Sequence, residues 1–73
     1  MTEYAYLPAD LIKPGDILPD ISRDPVTGIA VFPHESVRVV GGYGEYVRHF
    51  PYFGPDFGWD MVRIKRPASP NVA

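Results

Sequence analysis

His34 and Ser36 stand two residues apart, a spacing that would put both on one face of a strand and set an imidazole beside a hydroxyl. The pair lacks an orienting acid and oxyanion donors, and no nucleophile-elbow sequence surrounds Ser22, Ser36 or Ser69. The carboxylate pairs Asp16/Asp20 and Asp56/Asp60 flank turns, where acids cap backbone N–H groups. His34 and His49 have no third ligand at zinc spacing. The chain has no cysteine, which removes thiolate sites and disulfides. Gly41-Gly42-Tyr43-Gly44 is not a phosphate-cradling loop, because no Lys-Ser/Thr and no helix start follow it. A pocket deep enough for an enzyme would also strain a core this small. These residues point away from an enzyme, a metal or a cofactor, and toward binding.

The groups suited to binding are aromatic and cationic. Seven of the ten aromatic residues fall between Tyr43 and Trp59: Tyr43, Tyr46, Phe50, Tyr52, Phe53, Phe57 and Trp59. Pro51 and Pro55 would stiffen a ringed loop from Phe50 to Trp59, and such rings dominate protein–protein hot spots. Alternatively Phe53, Phe57 and Trp59 plug one end of the fold. Period-two alternation puts Tyr46, Arg48 and Phe50 on one face of a strand and Val47 and His49 on the other. Burying the ring face would drag Arg48 toward the core, which is costly without a partner. Neighbouring strands favour the opposite choice. With Val37, Val39, Val62 and Ile64 inward, an outer face collects Arg38, Tyr46, Arg48, Phe50, Arg63 and Lys65. Interleaved rings and cations of this kind suit single-stranded nucleic acid. The competing expectation is a minor core under the 51–58 loop, with the cations snorkelling over it.

The elements that must position these groups are short. Nine prolines and seven glycines punctuate the chain, and no window keeps a helical period. Strands are expected at Glu3–Leu7, Ile17–Leu18, Ile29–Phe32, Ser36–Val40, Glu45–Phe50 and Trp59–Lys65, with one helical turn at Ala9–Ile12. Arg23–Gly28 reads as a loop or hairpin tip, and Gly41–Gly44 as a hinge or bulge. Lys13-Pro14-Gly15-Asp16 has type II turn chemistry: Pro14 presets φ and Gly15 tolerates positive φ. Residues 67–73 read as a flexible tail after a single domain over 1–66. The expected fold is mainly β, a five- to six-stranded antiparallel barrel or strongly curled sheet. Leu11-Ile12-Lys13-Pro14-Gly15-Asp16-Ile17-Leu18 resembles the turn-then-strand element of SH3-like small barrels. That resemblance implies a fold class which hosts nucleic-acid binders, peptide binders and assembly modules alike, and it carries over no functional residue.

Seventy-three residues sit near the lower limit for a self-sufficient core. The net charge of −2 argues against binding nucleic acid through bulk charge. The charge is uneven: residues 1–36 carry −4 and residues 37–73 carry +2. Met1-Thr2-Glu3-Tyr4 lacks the basic start and apolar run of a secretory signal, and no segment reaches membrane-span length, so a cytoplasmic protein away from membranes is expected. A compact, cysteine-free chain of this kind would suit an accessory protein of a bacteriophage or other mobile element. The leading expectation is a protein partner or homo-oligomer engaged through Tyr43, Tyr46, Phe50, Tyr52, Phe53 and Trp59. The alternative is single-stranded nucleic acid on the ring-and-cation face.

Overall fold

The computed structural model describes residues 2–67, so residues 68–73 of the expected tail lie outside the described residues. Alternation shapes the first strand, β1 (Thr2–Pro8): Ala5 and Leu7 turn toward the core, while Tyr4 and Tyr6 stay outside. Pro8 ends it, and Ala9–Leu11 make a single 3-10 turn where one helical turn was expected.

Three strands then form a meander. They are β2 (Val26–Phe32), β3 (Ser36–Gly41) and β4 (Tyr46–Pro51), paired antiparallel in that order. A bulge between Val26 and Gly28 lets β2 begin inside the stretch expected to be a loop. Gly42–Gly44 form a tight turn with left-handed backbone, φ 57° at Gly42 and Tyr43 and 93° at Gly44. The last strand, β5 (Met61–Pro67), returns to pair antiparallel with β1.

The result is five antiparallel strands in two sheets, and the expected barrel does not close. The physical reason lies at Ile17. Its backbone exchanges hydrogen bonds with Lys65 (2.9 and 2.7 Å) of β5 and bridges to Pro25, the residue just before β2, so it links β5 to the start of the other sheet. Pro19 follows two residues on, and Pro25 has no N–H to donate, so the contact remains a single bridge rather than the strand expected at Ile17–Leu18.

The inner faces of the two sheets nevertheless share one core. Val37 and Val39 from β3, Val26 from β2, and Val62 and Ile64 from β5 are buried together with Ala9, Ile12 and Leu18. Each fully buried Val, Leu or Ile side chain contributes about 1.5–3 kcal/mol. The core is aliphatic and β-branched, and the larger rings lie at its margin.

The Pro-Gly-Asp turn is locked to the end of the chain. Gly15 has φ 98°, and the Asp16 N–H donates to the Lys13 carbonyl at 3.1 Å. The Asp16 side chain is only 3% exposed. It accepts from the Lys13 N–H at 2.9 Å and from Arg66 Nε and Nη2, both at 2.8 Å. Burial alone would raise the Asp16 pKa; the bidentate Arg66 contact and the Lys13 N–H outweigh it and hold the carboxyl below its ordinary value. The same ion pair raises the pKa of Arg66.

Candidate functional site

The aromatic segment splits into three parts. Tyr46 and Phe50 are half-buried and pack against the core. This overturns the expectation that they face solvent with the cations. Register explains it: Phe50 lies opposite Val37 and Tyr46 opposite Gly41, so the rings share the face of the buried valines. The Tyr46 ring lies where a side chain at position 41 would stand, and a Cβ on Gly41 would collide with it. The Tyr46 hydroxyl is buried with no hydrogen-bond partner, and burial raises its pKa, with the charge of Asp24 adding to the effect.

Arg48 shares that inner-face register, opposite Val39, yet it is exposed because β4 is the outer strand of its sheet. The desolvation penalty foreseen for Arg48 is therefore avoided at an open edge. Val47 and His49 take the outer face and are exposed. Arg38 is also outward, between Ala30 and His49. Arg63 and Lys65 belong to β5, in the other sheet. The six-residue ring-and-cation face read from alternation is thus not one surface.

The second part is a hairpin that links β4 to β5. Tyr52 bridges to Trp59, the Asp60 N–H donates to the Pro51 carbonyl (3.0 Å), and the Phe53 N–H donates to the Gly58 carbonyl (2.7 Å). The tip closes through the Gly58 and Phe57 N–H groups, which donate to the Gly54 carbonyl at 2.7 and 3.1 Å. Gly54 (φ 115°) and Gly58 (φ 72°) supply backbone angles that other residues rarely adopt. The base is held by rings: Tyr52 and Trp59 lie 4.7 Å apart and tilted, and His34 meets Tyr52 edge-on at 5.2 Å. Trp59 also packs on the core, and the Ala9 N–H donates to the Asp60 carbonyl at 2.9 Å.

Of the three rings expected as alternatives to plug the fold, only Trp59 does so. Phe53 is 57% exposed and Phe57 80% exposed, on either side of the tip. Their backbone is fixed while their faces meet water.

The third part is Tyr43, which is 78% exposed and holds a left-handed conformation (φ 57°, ψ 36°). Such a conformation costs a non-glycine residue roughly 1–2 kcal/mol. β4 lies between Tyr43 and the hairpin, and six strand residues span about 17 Å, so the exposed rings form two separate surfaces.

Three exposed rings lie outside the aromatic segment, Tyr4, Tyr6 and Phe32, and none was given a site role from the sequence. Tyr4 and Tyr6 stand outward on β1, opposite Lys65 and Arg63. The alternation of Glu3–Leu7 placed them on one face; what it could not provide was their pairing partner, since β5 lies at the far end of the chain. Among the described residues no group of three His, Cys, Asp or Glu side chains could hold a metal ion, and no helix is long and apolar enough to cross a membrane. Compared with family models, curated proteins and solved structures, the chain matches none.

Proposed function

We propose that this protein is a non-enzymatic binding module that docks the hairpin tip, Phe53 and Phe57, into an apolar recess on a protein partner. One observation carries the reading: two phenylalanines stay exposed on a backbone closed by hydrogen bonds and braced by the Tyr52–Trp59 stack. A core-forming ring would have been turned inward, as Trp59 is. Leaving a Phe exposed forgoes about 1.5–3 kcal/mol of burial, which becomes available on docking. Because the loop is already ordered, little conformational freedom is lost when it binds. The SH3-like likeness at Leu11–Leu18 belongs to this reading. It suits a cytoplasmic interaction domain.

The test is affinity capture from source-cell extract with the wild type and a Phe53→Ser/Phe57→Ser variant, followed by calorimetry on each captured protein. The expected result is a partner that binds the wild type and binds the variant at least tenfold more weakly, with the melting temperature shifted by only a few degrees. Retention of every captured protein by the variant would refute the proposal. A second copy of the chain as the occupant would show in light scattering as a dimer that the variant dissolves.

A further inference from the structure

The outer face of the β1–β5 ribbon carries rings and cations in register. Tyr4 lies directly opposite Lys65, and Tyr6 directly opposite Arg63. Tyr4 is 62% and Tyr6 65% exposed. The Arg63 guanidinium and the Lys65 ammonium each lie 5.8 Å from the centre of the Tyr4 ring. That is the long end of the cation–π range, so the ring is steadied by its neighbours without being covered.

Beside Tyr4 the surface dips into an open depression of about 300 Å³, lined by Tyr4, Ile17, Pro19, Ser22, Arg23 and Lys65. Its size is at the lower end for small-molecule sites, room for one flat ring system and little more. The depression carries two cations and no carboxylate. Arg63, next to it, is paired with Asp20 at 2.8 Å, whereas among the described residues neither Lys65 nor Arg23 has a carboxylate within ion-pair distance. Ser22 Oγ accepts from the Asp24 N–H at 3.1 Å, which leaves its own proton to donate.

We infer that this face binds single-stranded nucleic acid. One base lodges against Tyr4 in the depression, the next stacks on Tyr6, and Lys65 and Arg23 neutralise the phosphates between and beside them. Strand geometry favours this occupant. Residues two apart on one face are separated by about 7 Å, so Tyr4 and Tyr6 repeat a ring at a step that an extended polynucleotide can follow one nucleotide at a time. Lys65, unpaired among the described residues, lies beside the first ring, and Arg63, held by Asp20, lies opposite the second. A duplex keeps its bases stacked on each other and cannot use the rings. An acidic peptide would satisfy the cations but has no flat group at each step. The site is separate from the Phe53/Phe57 hairpin and does not depend on it.

Fluorescence anisotropy with a labelled dT12 strand, and with rU12 beside it, tests the inference on the full chain. Two phosphate contacts predict a slope of log K against log salt near −1.4, about a sevenfold loss of affinity between 50 and 200 mM salt. Lys65→Gln should make the slope shallower by about 0.7. Tyr4→Ala and Tyr6→Ala should each weaken binding about fivefold or more, because each removes one stacking platform. These side chains are exposed, and unchanged circular dichroism and melting would show that the fold is intact. Phe53→Ser/Phe57→Ser should leave the strand's affinity unchanged. No binding at 50 mM salt, binding indifferent to salt, equal affinity for a duplex of the same length, or full affinity in the Tyr4→Ala/Tyr6→Ala double variant would each overturn it. Displacement of the strand by a Glu-rich peptide at comparable concentration would assign the face to an acidic protein instead, and would equally overturn it.

Discussion

Asp16 and Arg66 join parts of the chain fifty residues apart, and their removal should have unequal consequences that reverse with pH. In Arg66→Ala the carboxylate stays buried with the Lys13 N–H and the weaker pull of the Lys13 charge to stabilise it. Stranding a buried charge costs about 3–5 kcal/mol, and the single remaining hydrogen bond places the expected value near 3. In Asp16→Ala the charge left behind is a guanidinium whose side chain is already 38% exposed and can rehydrate, so solvent screening reduces the cost to about 2 kcal/mol. A chain of this length has roughly 4–11 kcal/mol of stability in all, so both changes should be plainly measurable. Urea unfolding followed by the fluorescence of Trp59, the single tryptophan, reads them directly.

The pH dependence supplies the sharper discrimination. The folded pKa of Asp16 lies below its unfolded value near 3.9, so its contribution is fully present above about pH 4 and is lost as the pH falls through the folded value. Asp16→Asn should therefore flatten the acid limb of the stability curve. In Arg66→Ala, burial acts with less opposition, the carboxyl protonates at higher pH, and the cost of the substitution should shrink by more than half between pH 7 and pH 3. If Arg66→Ala costs the same at both values, or Asp16→Ala costs under about 0.5 kcal/mol at pH 7, the buried pair does not hold the turn as described.

Three further outcomes follow from the β3–β4 corner. Tyr46→Phe should be neutral or stabilise by up to about 1 kcal/mol, since it removes a buried hydroxyl with no partner; a loss above 1 kcal/mol in urea unfolding would mean that the hydroxyl has one. Gly41→Ala should destabilise by about 1–3 kcal/mol, because the new Cβ displaces the Tyr46 ring, and the double variant Gly41→Ala/Tyr46→Ala should show strong non-additivity. Tyr43→Gly should raise stability by about 1 kcal/mol by relieving the left-handed backbone of an exposed residue; a lower melting temperature would show that the ring contributes to the fold.

Local chemistry was legible. Pro14-Gly15 turns as its residue types require, Val37/Val39 and Val62/Ile64 face inward as alternation demands, and Ala9–Leu11 make one turn before proline and glycine stop them. The face of β4 was not legible. Within the strand, Arg48 between two rings argues for turning the set outward; only an edge position lets the rings pack while the arginine escapes to water. The meaning of Asp16 was hidden as well. From sequence it is turn chemistry, and its bidentate partner stands fifty residues away.

Composition and residue order by themselves settled that this chain would be short strands broken by proline and glycine around a β-branched core, with more rings than that core could enclose. Which rings stayed outside was decided by the tertiary structure alone. A ring's exposure depends on its cross-strand partner and on whether its strand has a neighbour, and both are relations between distant segments. That is why Tyr46 went in over Gly41, Phe53 and Phe57 stayed out on their hairpin, and Tyr4 came to stand beside Lys65.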